Sequence, residues 1–148
     1  MNLPRDLAKK CLELAGAVRD ADEIEVPPPP SANGIWRIVR GTKMTVSDEY
    51  KRWAAAVAPA FERLRVPAGF PVTVVIVVRG GKGWTTSRDL DNAIKPLIDA
   101  VKKSGTIPDD TTAYVTKIEA TYVPGDGRPA GVRVRVEHKG EPPCPSQR

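Results

Sequence analysis

The sequence predicts an α+β fold: a small mixed β-sheet of about four to six strands packed with two core helices, plus an extra N-terminal helix. Three observations predict it. Residues 71–80, PVTVVIVVRG, are apolar without alternation, the pattern of a central strand covered on both faces. Residues 132–138 alternate, with Val132, Val134 and Val136 set to face a core and Arg133 and Arg135 set to face away. Two stretches, one after Ser47 and one after Asp89, carry apolar residues at helical spacing. At 148 residues the chain is about the size of one ordinary domain.

The elements follow in order. Residues 4–20 place Leu7, Cys11, Leu14 and Val18 at helical spacing behind Pro4, which predicts an amphipathic helix. A short strand from Glu23 to Val26 runs into Pro27–Pro30, extended because each proline lacks an amide donor and restricts its predecessor. Strands near 35–40 and 42–46 pair as a hairpin around Gly41. Ser47, followed by Asp48 and Glu49, caps a helix to about Arg65 with Trp53, Val57, Ala60, Phe61 and Leu64 as its apolar stripe and a bend at Pro59. After the central strand, GGKGWTTS reads as a loop that stays mobile until something binds. The helix after Asp89 has Leu90, Ile94, Leu97, Ile98 and Val101 as its inward face and stops at Gly105. Tyr114–Val123 is a strand, PGDG a turn, and Val132–His138 the last strand. The organisation expected is a helical extension at 1–22, a main domain at 23–139 and a tail at 140–148, disordered by composition.

Composition removes several function classes. The single histidine, His138, rules out Ser-His-Asp, Cys-His and two-histidine metal constellations within one chain. Cys11 and Cys144 have neither CxxC nor ligand-like spacing, so they read as two reduced thiols rather than a disulfide framework or a zinc site. No run of about 18 apolar residues is present. The expectation is a soluble cytoplasmic protein with no membrane partner. Hydrolytic chemistry would then fall to carboxylates, lysine or a metal held by oxygen ligands.

The net charge of +5 is unevenly spread. Residues 1–30 hold 4 basic and 6 acidic side chains, residues 31–88 hold 10 and 3, and residues 89–148 hold 9 and 9, giving −2, +7 and 0. The whole excess precedes one acidic motif. Basic flanks around an acidic centre point to a nuclease more than to a passive DNA binder.

That motif is Arg88-Asp89-Leu90-Asp91-Asn92 with Lys95, joined later by Pro108-Asp109-Asp110. If Asp89–Asp91 is still extended, alternation points both carboxylates to one side as a clamp while Leu90 turns to the core. A helix starting near Asn92 would then set its free N–H groups and positive dipole end beside the clamp, where a scissile phosphate fits. Magnesium suits such a site because it is hard, accepts few carboxylates plus water and phosphate, and needs no histidine. Lys95, one turn beyond Asp91, would offset charge on the pentacoordinate phosphate. Pro96 leaves the Asn92 carbonyl without its donor and predicts an irregular first turn. The competing role for Asp89 and Asp91 is helix capping plus an ion pair to Lys95; for Asp109 and Asp110 it is a Pro-Asp turn. A helix from Asn92 to Ser104 is ~20 Å long and residues 105–110 span about that when straight. A site completed by Asp110 of a dimer partner would avoid that strain.

RDLDNAIKPLIDAVKKSG followed by IPDD resembles the RusA-type Holliday junction resolvases, the crossover junction endodeoxyribonucleases, which carry an RDLDN motif, a lysine one turn on and a later Asp-Asp pair. VPPPPSANGIWRIVRGTKMTVSDEYKRW resembles the family's opening strand, its proline and SxN element and its basic hairpin leading to a helix. The resemblance covers about residues 24–139 and implies a RusA-like fold and a homodimer that makes paired symmetric nicks in four-way DNA junctions with Mg2+, Mn2+ serving as a substitute. It implies metal binding and catalysis by Asp89, Asp91 and Asp110, an essential charge at Lys95, and DNA-binding or site-supporting roles for Arg88 and Asn92. It also implies a bacterial or phage-infected host cell as the setting. Arg37, Arg40, Lys43 and Lys82 are candidate phosphate contacts by charge and position. Trp36 and Trp84 are candidates for stacking on splayed bases, with core packing the alternative for Trp36. Competing with the nuclease are a non-catalytic nucleic-acid-binding α+β module, whose acidic cluster caps a helix, and a dimeric protein-binding scaffold.

Overall fold

Period-two and period-3.6 patterns become elements close to where they are written. The structure is a computed structural model that describes residues 19–30, 36–39 and 43–138, with 36–39 and 43–46 described by their backbone alone. In chain order these are β1 (Glu23–Val26), β2 (Trp36–Val39), β3 (Lys43–Val46), α1 (Asp48–Phe61), β4 (Val72–Arg79), a 3-10 turn (Leu90–Ala93), α2 (Ile94–Lys103), β5 (Val115–Val123) and β6 (Gly131–His138). The helix expected at 4–20, but for its last two residues, the turn at Gly41 and the tail from 140 lie outside the described residues.

Four strands form one sheet in the order β1-β6-β4-β5, and β2 pairs with β3 as a separate antiparallel ribbon. Within the sheet β6 runs antiparallel to both its neighbours, while β4 and β5 are parallel. A parallel pair needs a crossover, and here the crossover carries the 3-10 turn and α2. The fold is thus the expected small α+β arrangement, with a mixed sheet and two core helices.

One face of the sheet is apolar. Register aligns Val74, Ile76 and Val78 of β4 with Val136, Val134 and Val132 of β6, and Ile24 and Val26 of β1 with Val134 and Val132. Trp53, Val57 and Phe61 of α1 and Leu97, Ile98 and Val101 of α2 join these strand residues in a single core. The opposite face of β4 has charged neighbours among the described residues. There Thr73, Val75 and Val77 stand level with Glu137, Arg135 and Arg133 of β6. Arg135 is paired with Glu23 and Glu137, and Lys117 with Glu119. Val75 is nonetheless only 8 % exposed. Its register neighbours there are Arg135 of β6 and Glu119 of β5.

Ser47 caps α1 as its sequence predicts, its Oγ accepting the Tyr50 N–H at 3.2 Å. The helix ends at Phe61 rather than near Arg65. Arg63 and Leu64 donate back to Ala60 and Phe61 in a tightened turn, and the chain then exchanges backbone bonds with Ala21. Leu64 still reaches the core, at 1 % exposure. Arg19 ties the same region to the end of α2: its guanidinium donates to the carbonyls of Leu64 and Ser104 and to Thr106 Oγ1, and Thr106 is fully buried. Those carbonyls and that hydroxyl would otherwise lack part of their bonding at a helix end. Periodicity carries no trace of this long-range clamp.

Candidate active site

The crossover from β4 to β5 begins in the GGKGWTTS loop, whose first half is tied down by backbone bonds. Gly81 and Trp84 pair across a tight turn, and the Lys82 carbonyl accepts the Ala130 N–H at 2.9 Å. Gly81 sits at φ 148°, and a Cβ there would come within 2.6 Å of the Arg128 carbonyl oxygen, so the close approach requires glycine. Trp84 is only 3 % exposed, which removes it as a platform for splayed bases. Its ring serves Arg88 instead, whose guanidinium lies 4.0 Å from the ring centroid. Arg88 also donates to the carbonyls of Gly83 and Pro29. Burial lowers its pKa, opposed by the charge of Glu49. Arg88 thereby fastens the residue before Asp89 to the proline strip, along a cleft lined by Pro28–Pro30, Glu49, Trp53 and Gly83.

Asp89 is extended, with φ −75° and ψ 137°, but Asp91 is not: it lies in the 3-10 turn. The expected extended pair is therefore corrected, since only its first member is strand-like. The turn begins at Leu90 and α2 at Ile94, on either side of the expected start near Asn92. Asn92 N–H bonds the Asp89 carbonyl at 3.2 Å, and Ile94 N–H bonds that of Asp91. Pro96, third residue of α2, explains the tight start because it gives Asn92 no i+4 donor. Asp89 makes no capping bond through its side chain. Both Asp89 and Asp91 are exposed, and among the described residues neither carboxylate has a hydrogen-bonding or ion-pairing partner. The capping and ion-pair alternative for them is thus not what the fold uses.

Lys95 pairs elsewhere. Its Nζ lies 2.9 Å from Asp99 Oδ1, one turn on, and 3.3 Å from Asp110 Oδ2. The bond to Asp99 raises its pKa most. Asp99 was absent from the sequence reading, although Lys95-x-x-x-Asp99 has the spacing of a helical ion pair. Lys102 holds the second acidic pair, at 3.1 Å from Asp109 Oδ1 and 3.8 Å from Asp110 Oδ1. The Lys102 bond and then the Asp110 N–H hold the Asp109 carboxyl below its ordinary range. Tyr50 of α1 lies within the field of this cluster: burial and Asp99 raise its pKa, and Lys95 opposes them.

Asp110 thus returns to Lys95 within one chain. The chain-length argument for borrowing it from a partner subunit loses its force, because Asp110 has only to meet a long lysine side chain. Among the described residues no three histidine, cysteine, aspartate or glutamate side chains are gathered as a metal site. The donor chemistry of Asp89 and Asp91 fits magnesium: both are exposed carboxylates, hard oxygen donors without a partner among the described residues. Asp110 stands apart from them, engaged by lysines.

Of the candidate phosphate contacts, Lys82 is exposed on the anchored loop. Register puts Arg37 and Lys43 on the same face of the β2-β3 ribbon, since Arg37 and Val39 share a side and Val39 pairs with Lys43. Arg40 and the side chain of Trp36 lie outside what is described.

An open acidic pair thus stands at a helix start, with a lysine one turn on, inside a mixed-sheet crossover. The family model for endodeoxyribonuclease RusA matches residues 25–137, and the chain belongs to that family. The crossover junction endodeoxyribonuclease RusA of enterobacteria phage HK97 is 31 % identical over 101 residues, which cover 68 % of this chain and 83 % of the phage protein. No helix among the described residues is long and apolar enough to cross a membrane.

Proposed function

We propose that the protein is a magnesium-dependent endonuclease that resolves four-way DNA junctions as a homodimer, by paired symmetric nicks. The observation that carries this is the open carboxylate pair Asp89 and Asp91, exposed and unpartnered among the described residues, in a chain of the RusA endodeoxyribonuclease family. The relative from phage HK97 is a crossover junction enzyme by name, which supports the branched substrate and a setting in the cytoplasm of a bacterial or phage-infected cell.

Asp89 and Asp91 would hold the cation, Mg2+ or Mn2+, and Asp110 would join them once released from its lysines. When bound, the ion polarises the scissile phosphate and makes its water a better nucleophile. The bond from the water oxygen to phosphorus would form as the bond to one nucleotide oxygen breaks, the water giving up a proton to solvent and the departing oxygen taking one up from it, which leaves a phosphate on one strand end and a hydroxyl on the other. Lys95 supplies positive charge one turn from Asp91, where the phosphate gains negative charge. Arg88 acts on position, fixing the backbone that presents Asp89, and Asn92 closes the turn between the acids through its N–H. The basic segment at 31–88, with Arg37, Arg40, Lys43 and Lys82, would take the flanking phosphates. Two such centres related by a two-fold axis match the symmetry of a four-way junction.

The test is a synthetic four-way junction incubated with Mg2+ or with chelator. Nicking should require the metal, and Asp91→Asn should bind the junction but not cut it. Normal cutting by Asp91→Asn ends this reading. The engagement of Asp110 by lysines favours a second reading, a non-catalytic junction-binding module. It predicts salt-sensitive binding, indifferent to Mg2+, and no nick.

A further inference from the structure

Lys95 is shared between two carboxylates, and only one of them belongs to the acidic set of the proposed site. Asp99 Oδ1 is the nearer at 2.9 Å and lies at the i+4 position of the same helix, whereas Asp110 Oδ2, at 3.3 Å, comes from beyond the end of α2. The lysine side chain is 70 % exposed, Asp99 40 % and Asp110 24 %. Asp110 is thus the most shielded of the three, and an ammonium on its Oδ2 obstructs a cation in two ways: it occupies a donor atom and repels the incoming charge.

We propose that Asp99 is a positioning residue that retains Lys95 when Asp110 is taken up by a divalent cation. The inference rests on the metal-dependent reading of Asp89, Asp91 and Asp110. With Asp99 present, the lysine loses one of two partners and stays on α2, one turn from Asp91. Without it, Asp110 is the lysine's remaining ion-pair partner among the described residues, and lysine and cation compete for the same oxygen. Asp99 therefore eases metal uptake through Lys95 while touching neither metal nor substrate.

The experiment measures Mn2+ binding to the DNA-free protein by calorimetry and by the loss of the free-ion electron paramagnetic resonance signal. Thermal unfolding serves as a check that each variant is folded. Asp99→Asn should weaken Mn2+ binding about two- to fivefold, the range an exposed ion pair supports. Asp99→Glu, which still reaches a lysine one turn away, should restore most of it. Lys95→Met alone should tighten binding, and in that background Asp99→Asn should have no further effect. A general loss of negative charge, or a purely structural role for Asp99, would weaken binding equally with or without Lys95. That result overturns the inference, as does wild-type affinity in Asp99→Asn. If instead the wild type binds no Mn2+, or Asp91→Asn binds it as tightly as wild type, the metal-dependent reading itself fails and this inference falls with it.

Discussion

Asp89 and Asp91 stand exposed and without partners among the described residues, whereas Asp109 and Asp110, at the other end of the same crossover, are held by Lys95 and Lys102. The residue type is the same and the setting is opposite. The first pair sits at a 3-10 turn whose backbone is bonded but whose side chains are left to solvent. The second follows α2, whose last turn carries Lys102 at the end where a helix favours positive charge. An open pair can accept a cation with no counter-ion to expel. A closed pair must first exchange a lysine for it, so the two pairs need different support from the fold.

Breaking the open pair should have the largest effect. Asp91→Asn should lower junction nicking by at least about a hundredfold, the scale of losing one well-placed electrostatic group, with gel-shift affinity for the junction unchanged. Next comes the anchor of the open pair. Arg88→Ala removes the ring contact to Trp84 and the bonds to Gly83 and Pro29, and should cost about 1–2 kcal/mol in urea unfolding. Arg88→Lys should recover little of it, because a point charge cannot lie flat on the ring and also donate in two directions.

The closed pair has its own anchor in Arg19, which bonds the segment between α2 and Asp109. Arg19→Ala should cost about 1 kcal/mol and speed amide exchange over residues 105–110. The smallest effect is in acid. Lys102 depresses the Asp109 pKa from its ordinary 3.8, so the stability this pair adds is full above that value and fades as pH falls through the lowered one. Asp126, held by Arg128 and brought down to about 2, gives the comparison its reference. Carboxyl NMR titrations should place both midpoints below 3.8, and a midpoint for Asp109 at or above that value would dissolve the contrast.

Local patterns made much of this legible. Ser47 caps α1, the two short strands pair as a ribbon, β4 forms where its apolar run lies, and β6 forms with its core on the expected residues, because capping and periodicity are properties of neighbours in sequence. Pro96 foretold an irregular start to α2 for the same reason. What the chain hid depended on distant partners. Trp84 looked available until Arg88 and the core covered it, and Arg19 gave no sign of its reach to Thr106. The extended reading of Asp91 failed because alternation was carried one residue past the point where the 3-10 turn begins. Asp99 is within reach of a spacing argument, since Lys95 and Asp99 stand one helical turn apart.

Both aspartate pairs and Lys95 belong to one connection between two parallel strands that lie side by side in the sheet. After an irregularity at Val72/Thr73, the β4-β5 ladder runs without a break to Arg79 and Val123. Main-chain bonds therefore fix one end of the connection against the other, and closing a single loop brings Asp110 back to Lys95, one turn beyond Asp91. The entropy of that closure rises only logarithmically with loop length. Segments outside the loop, including β1 and the ribbon, do not enter that cost. Insertions or losses there would leave the entropy of bringing Asp110 to Lys95 unchanged, while a shift by one residue between β4 and β5 would turn every β5 side chain to the wrong face.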